Sequence, residues 1–451
     1  MTTGPRMDGT PGPGIPGILG TPGTAAARTR QTASRLLVPV FLVVLIDFIG
    51  FGLIIPLLPL WAKRLGASPS GVGLVLTAYA LAQFLFAPVL GSLSDRYGRR
   101  PVILVSLLIE ALGFALTALS GSLLALLGAR FLAGLGASNI GSAQAVVADV
   151  TPAAGRARGM AMIGAAIGLG FVVGPALGGV LASRGLPVPF WTAMGLALAN
   201  VFLVARFLPE TRRAGVAAFA DRGITALTHG WRRVRGQAVI ARLVAVNLLF
   251  TLAFSAMEAI FPLLTLRRFG WGATQNGYLF TYIGILVVVM QGGLVGRLVV
   301  RWGERTLLLA GLALLAVGLA LLPISGTLGL LLLALSLLSV GEGAVTPTVT
   351  ALLSLASSSR TQGETLGLGQ GMAGLGRILG PLAAGWLFAS STSAPFVLGS
   401  ALTLVALAVL LLGPASRPLV QAISLRHEIR STVPRRKGAV PRSRRPPPGV
   451  R

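Results

Sequence analysis

The sequence predicts an all-α membrane protein of twelve transmembrane helices arranged as two pseudo-symmetric six-helix halves. Three observations predict it: an extreme hydropathy, a regular succession of span-length apolar runs, and an internal repeat. Of the 451 residues 54% are hydrophobic and only 11% charged, with a mean hydropathy of +0.82. A water-soluble domain of this size does not tolerate that balance, so lipid is the solvent for most of the chain. A helix needs roughly 20 apolar residues to cross the hydrocarbon core, and runs of that length recur from Leu36 to Leu412. The net charge of +26 would suggest nucleic acid in a soluble protein, but the arginines crowd into alternate loops and the tails instead of covering a folded soluble face, which excludes a nucleic-acid reader. With no cysteine, disulfides, thiol catalysis and thiolate metal sites are excluded.

Taken in order, residues 1–34 are Gly, Pro, Thr and Ala with a few arginines, and are expected to form a disordered cytoplasmic tail without a signal peptide. Apolar runs then place helices near 37–60, 71–92, 101–119, 122–146, 158–182 and 189–208, which make a first half over 35–208. The polar, basic stretch 209–238 reads as a cytoplasmic linker, with a surface helix expected around Ile224 to Val234. Further helices near 240–265, 273–298, 305–323, 326–350, 365–389 and 394–412 make a second half over 239–413. The basic tail 414–451, with Arg435, Arg436 and Lys437, is expected to meet anionic lipid or stay disordered. Arg96, Arg99, Arg100, Arg156, Arg158, Arg301 and Arg305 lie on the same side as the linker and the tails, whereas the alternate loops hold only Lys63, Arg64, Arg184, Arg267 and Arg268. That asymmetry predicts a multi-pass inner-membrane protein with both termini cytoplasmic.

Sliding the second half onto the first by about 205 residues aligns Gly91-Ser-Leu-Ser-Asp95-Arg-Tyr-Gly-Arg-Arg100 with Gly296-Arg-Leu-Val-Val-Arg-Trp-Gly-Glu-Arg305. It also brings Gly170 to Pro175 onto Gly376 to Pro381. Two copies of one unit are the plan of a transporter whose site lies between rocking halves.

Ionisable residues inside the spans carry the functional signal, because each is costly in hydrocarbon unless it faces a cavity or a partner. They are Asp47, Glu110, Arg130, Glu258, Glu342 and Arg377. A carboxylic acid withdrawn from water takes up a proton more readily, the property of a proton carrier. Asp47, central in the first span, and Glu258, in the seventh, are the candidate proton-coupling acids. The alternative for either is a structural partner of a buried arginine. Glu110, Arg130, Glu342, Arg377 and Gln83 are candidates to line the substrate cavity. Arg377 is placed either to neutralise Glu342 or to receive an anionic group. Asp95, beside Arg96, Arg99 and Arg100 at a helix end, can pair locally or meet the N-terminus of a facing helix.

In the fifth helix Gly164, Gly168, Gly174 and Gly178 recur at spacings that keep small residues on one face, and Pro175 adds a kink. The glycines around 164–174 and 367–371 lie in spans with no preceding strand, so neither is a dinucleotide fingerprint. His229 and His427 lack ligand spacing, and no metal site is expected. No nucleophile, base and orienting group converge, which excludes an enzyme.

These motifs carry a family resemblance over residues 37–412. The loop from Gly91 through Gly98 to Arg100 resembles the signature of the major facilitator superfamily, and the stretch from Gly164 through Gly174, Pro175, Gly178 and Gly179 resembles its antiporter signature. Arg130 with Gly134 and Gly136 resembles a third family motif. Asp47-Phe-Ile-Gly-Phe-Gly-Leu-Ile-Ile-Pro56-Leu-Leu-Pro59 and Tyr79-Ala-Leu-Ala-Gln83-Phe-Leu-Phe-Ala-Pro88 resemble the tetracycline and multidrug proton antiporters. The resemblance implies the major facilitator fold and proton-coupled efflux of small amphipathic compounds by alternating access. It implies a monomer driven by the proton gradient, with no cofactor and with substrate, protons and membrane lipid as its partners. It also implies that the Asp95 cluster latches the cytoplasmic side and that the fifth helix seals against ion leak. One departure is visible: where the tetracycline antiporters carry an aspartate in the third helix, this chain has Gly113 and places its acid at Glu110. The rival expectation is a proton symporter importing a sugar, amino acid or organic acid.

Overall fold

Apolar runs long enough to cross a bilayer fold as helices because every backbone N–H and C=O must then be paired within its own segment. A computed structural model describes residues 22–151, 156–211, 237–358 and 361–412, and among them there are twelve helices of spanning length and no strand. In the first half these are α1 (Pro22–Ile54), α2 (Pro69–Tyr97), α3 (Arg99–Leu119), α4 (Leu123–Val150), α5 (Arg156–Ala182) and α6 (Val188–Phe207). The second half holds α7 (Ala238–Phe269), α8 (Ala273–Trp302), α9 (Glu304–Leu321), α10 (Leu328–Ala356), α11 (Gln362–Ser390) and α12 (Ala394–Leu411).

Several boundaries depart from expectation. Helix α1 already begins at Pro22, so residues 22–34 are helical where a disordered tail was expected; the run Ala25, Ala26, Ala27, Arg28 is made of strong helix formers. At its other end α1 stops at Ile54 instead of reaching 60, because Pro56 lacks an N–H and disfavours helix in the residue before it. A short separate helix, Leu58–Arg64, follows. Helix α4 is interrupted by a tighter turn over Ala137–Asn139, and α8 contains a π-helical turn over Met290–Leu294. Residues 1–21, the expected surface helix near Ile224 to Val234 and the basic tail from 413 lie outside the described residues.

The repeat is visible in packing. A methyl group added at Gly174 of α5 would lie 2.7 Å from the Cα of Gly52 in α1. One added at Gly376 of α11 would lie 2.9 Å from the backbone nitrogen of Leu252 in α7. In each half a glycine stripe thus lets the fifth helix of the repeat lie directly on the backbone of the first.

The two halves meet along α2 with α11 and along α5 with α8. Thr77 donates a hydrogen bond to the Ile378 carbonyl (3.0 Å), and Thr274 donates to that of Gly179 (2.9 Å). Gly73 faces Pro381, Gly277 faces Gly179, and Gly284 faces the Phe171 carbonyl. These contacts lie toward the membrane face opposite the linker, the far side. On the linker side Gly91, Gly164, Gly292, Gly293, Gly296, Gly363 and Gly367 face open space. Among the described residues the halves are closed on the far side, and these linker-side glycines have nothing packed against them.

Candidate functional site

The membrane-embedded acids and arginines gather at mid-depth. In the first half Asp47 of α1 and Glu110 of α3 lie within hydrogen-bonding reach of one another. Asp47 is half-buried, whereas Glu110 is 1% exposed. Helix α4 presses on α3 at this level: a methyl group at Gly136 would lie 2.5 Å from the Glu110 nitrogen, and one at Gly113 would lie 2.6 Å from the Ala133 backbone. A side chain at 113 would collide with that backbone.

Arg130 of α4 is 2% exposed, and its guanidinium carbon lies 4.5 Å from the centre of the Tyr79 ring. The quadrupole of that ring favours the cation. Its Nε and Nη1, together with Oε2 of Glu110, have no hydrogen-bond partner among the described residues. Tyr79 stacks on Phe51 (5.4 Å), which meets Phe171 edge-on (6.0 Å), so an aromatic wall from α1, α2 and α5 borders the polar centre. Gln83 spans helices: its amide donates to the Ala137 carbonyl (3.3 Å) at the break in α4, and Ser138 donates to the Gln83 carbonyl (3.3 Å).

The second half supplies Glu258 from α7, Glu342 from α10 and Arg377 from α11. Glu258 is within electrostatic range of both Arg377 and Glu342. The charge neighbours of Arg377 are Glu258 and, across the seam, Tyr79. Of the two roles open to Arg377, neutralising an acid falls on Glu258, and the arginine is exposed to the inter-half space. Glu342 accepts a hydrogen bond from Thr346 (3.0 Å), while its Oε2 is buried without a partner. Two arginines, one from each half, therefore flank Tyr79.

At the linker-side corner Asp95 pairs with Arg99 (2.7 Å), and Arg99 also reaches Asp149 at the end of α4 (3.3 Å) and Ser94 (3.3 Å). Glu210 accepts hydrogen bonds from the backbone N–H groups of Arg99 (2.9 Å) and Arg100 (3.1 Å), capping α3. Gly98 makes room for that carboxylate and takes a φ of +104°, a conformation natural only to glycine. Arg100 bonds the Ala205 carbonyl, and Arg96 lies over Tyr97. The partners of Asp95 and Arg99 described here all belong to the first half. Sequence reasoning missed Asp149 and Glu210; the available signal was their position at span ends beside a basic loop.

The glycines of α5 divide between two neighbours instead of sharing one face. Gly170, Gly174 and Gly178 pack on α1, Gly168 and Gly179 on α8, and Gly164 faces open space. Among the described residues no group of side chains is suited to hold a metal ion.

The Major Facilitator Superfamily model matches residues 40–299 and 292–447. The chain belongs to this superfamily. It is a multi-pass membrane transporter, not an enzyme, and the family's cargo is small molecules. Over 85% of its length it is 33% identical to the class C tetracycline resistance protein of Escherichia coli, spanning 98% of that protein. It is 30% identical to multidrug resistance protein 2 of Bacillus subtilis, covering 81% of this chain and 91% of the relative. The solved structure of the human organic anion transporter MFSD10 superposes with a TM-score of 0.65 at 30% identity, covering 84% of this chain and 99% of that one.

Proposed function

We propose that this transporter is a proton-coupled antiporter that exports small amphipathic compounds from the cytoplasm across the inner membrane, both termini being cytoplasmic. The observation that carries the reading is the contact between Asp47 and Glu110. Two carboxyl groups within hydrogen-bonding reach of one another can share a proton, and Asp47 is the more exposed of the two while Glu110 is buried. On this reading the far side is periplasmic and the conformer described here is open to the cytoplasm.

Substrate enters from that side and rests on the aromatic wall of Phe51, Tyr79 and Phe171, with the Arg377 guanidinium available to an acidic group. Loss of the proton from the Asp47–Glu110 pair leaves a negative charge that Arg130 faces. The halves then rock about the site, the linker side closes, and the corner around Asp95 meets the second half as a latch. From the periplasm a new proton discharges the substrate. Glu258, beside Arg377, is the second candidate for this exchange. The relatives support this reading, since two act in resistance to drugs and one moves organic anions by their names.

The test uses inverted vesicles with an acidified lumen. Tetracycline and amphipathic organic anions are added in turn, and dissipation of the proton gradient is recorded for the wild type and for Asp47→Asn, Glu110→Gln and Glu258→Gln. Substrate-triggered proton efflux lost in Asp47→Asn is the expected result. Substrate accumulation that ignores the gradient, or efflux unchanged in all three variants, overturns the antiport mechanism.

A further inference from the structure

The far-side surface carries five cations, Lys63, Arg64, Arg184, Arg267 and Arg268, and none of the chain's 12 Asp and Glu residues lies in a far-side segment. Three of these cations are engaged locally. Arg64 lies over Trp61 at 5.9 Å, and Arg268 donates to the carbonyls of Leu322 (3.3 Å) and Ser325 (3.1 Å). Arg267 lies over the Phe388 ring at 4.6 Å and donates one hydrogen bond to Thr392 (3.0 Å). A guanidinium carries five N–H donors in a fixed fork, so Arg267 is held in place with donors to spare.

Arg267 and Lys63 line one cavity of about 160 Å³ together with Ala67, Pro69, Leu263 and Phe388. The cavity straddles the seam: Lys63, Ala67 and Pro69 belong to the first half, and Leu263, Arg267 and Phe388 to the second. Among the described residues neither cation is paired with a carboxylate. Two like charges brought together across a seam repel, and an anion between them converts that repulsion into two attractive contacts.

We propose that this cavity is a binding site for a phosphate oxyanion, which bridges Lys63 and Arg267 and holds the far side closed. The preference for the closed conformer follows from geometry. An anion there touches both halves only while they are together and loses one cation when they part, so its affinity differs between the states and biases their populations. Two sources offer this chemistry: the headgroup of an anionic phospholipid in the far leaflet, and a soluble anion. The inference stands whether or not transport is coupled to protons.

The test reads conformer populations. Because the chain has no cysteine, nitroxide labels at Val89→Cys on α2 and Gly367→Cys on α11, one exposed and one facing open space on the linker side, attach nowhere else. The labelled protein is placed in nanodiscs of phosphatidylcholine, with phosphatidylglycerol or inorganic phosphate added in separate arms, and the label-to-label distance distribution is measured. The expected result is an increase of about five-fold in the ratio of far-side-closed to far-side-open protein with phosphatidylglycerol, the scale set by one basic side chain against an anionic surface. The increase is lost in Lys63→Gln/Arg267→Gln and kept in Arg64→Gln/Arg268→Gln. A shift with phosphatidylglycerol alone assigns the site to a lipid headgroup; a shift with inorganic phosphate also admits a soluble anion. No shift from either anion overturns the proposal. A shift that survives Lys63→Gln/Arg267→Gln, or that follows Arg64 and Arg268, assigns the effect to general surface charge and overturns it equally.

Discussion

A single methyl group placed on either of two glycines is expected to have opposite kinds of consequence. Gly277 of α8 lies on the seam between the halves, where an added Cβ would sit 2.5 Å from the Cα of Gly179 and 2.7 Å from the Pro175 carbonyl oxygen. Both neighbours are backbone and cannot rotate aside, so the halves themselves must separate. Overpacking of this kind costs about 1–3 kcal/mol. Because the contact exists only when the far side is closed, Gly277→Ala penalises that conformer alone and shifts the equilibrium toward the far-side-open state by a factor of roughly 5–150. Gly174 meets an equally tight wall, 2.7 Å from the Cα of Gly52 and 2.8 Å from the Ile49 carbonyl oxygen, but that wall belongs to its own half and persists in both conformers. Gly174→Ala therefore lowers resistance to thermal unfolding and leaves the conformer ratio unchanged. Distance distributions between labels at Val89→Cys and Gly367→Cys, with melting followed in parallel, separate the two effects. A Gly277→Ala protein that melts early without a change in distances would refute the assignment of α5 and α8 to a moving seam.

Three further outcomes follow from the same geometry. Asp47→Asn and Glu110→Gln should each abolish substrate-driven proton flux while substrate binding, measured by fluorescence quenching, changes less than ten-fold. Tyr79→Leu removes the ring beneath Arg130 and should weaken thermal stability by about 1–2 kcal/mol, whereas Tyr79→Phe retains most of it. Gly98→Ala must hold a side chain at φ +104° against the Glu210 carboxylate, and should lower stability by about 1–2 kcal/mol in the same melting assay.

The twelve spans and their division into halves were legible because lipid imposes one long apolar run per crossing and the charge-bearing loops punctuate the runs. Less legible were features set by tertiary contact. Nothing local in Met290 to Leu294 announces a π-helical turn, since its two glycines are equally compatible with an α-helix in a membrane. Beyond Asp95, which the cluster itself shows, Arg99 meets Asp149 and Glu210, 50 and 111 positions away in sequence, and a charge cluster read along the chain shows neither. The glycines of α5 were legible as a packing device but not as two devices, because spacing alone does not say which neighbour each face receives.

The place of Glu110 shows how such a site is constrained from behind. The third helix carries its acid at Glu110, three residues before Gly113. Helices α3 and α4 approach so closely at Gly113 and Ala133 that any Cβ collides with backbone, and the same approach buries Glu110 against Gly136. Positions three residues apart lie on nearly the same helical face, so the face of α3 that receives α4 at Gly113 also carries Glu110 toward Asp47. Close packing of α3 on α4 thus leaves 113 to glycine and 110 to an acid that faces both Asp47 and Arg130.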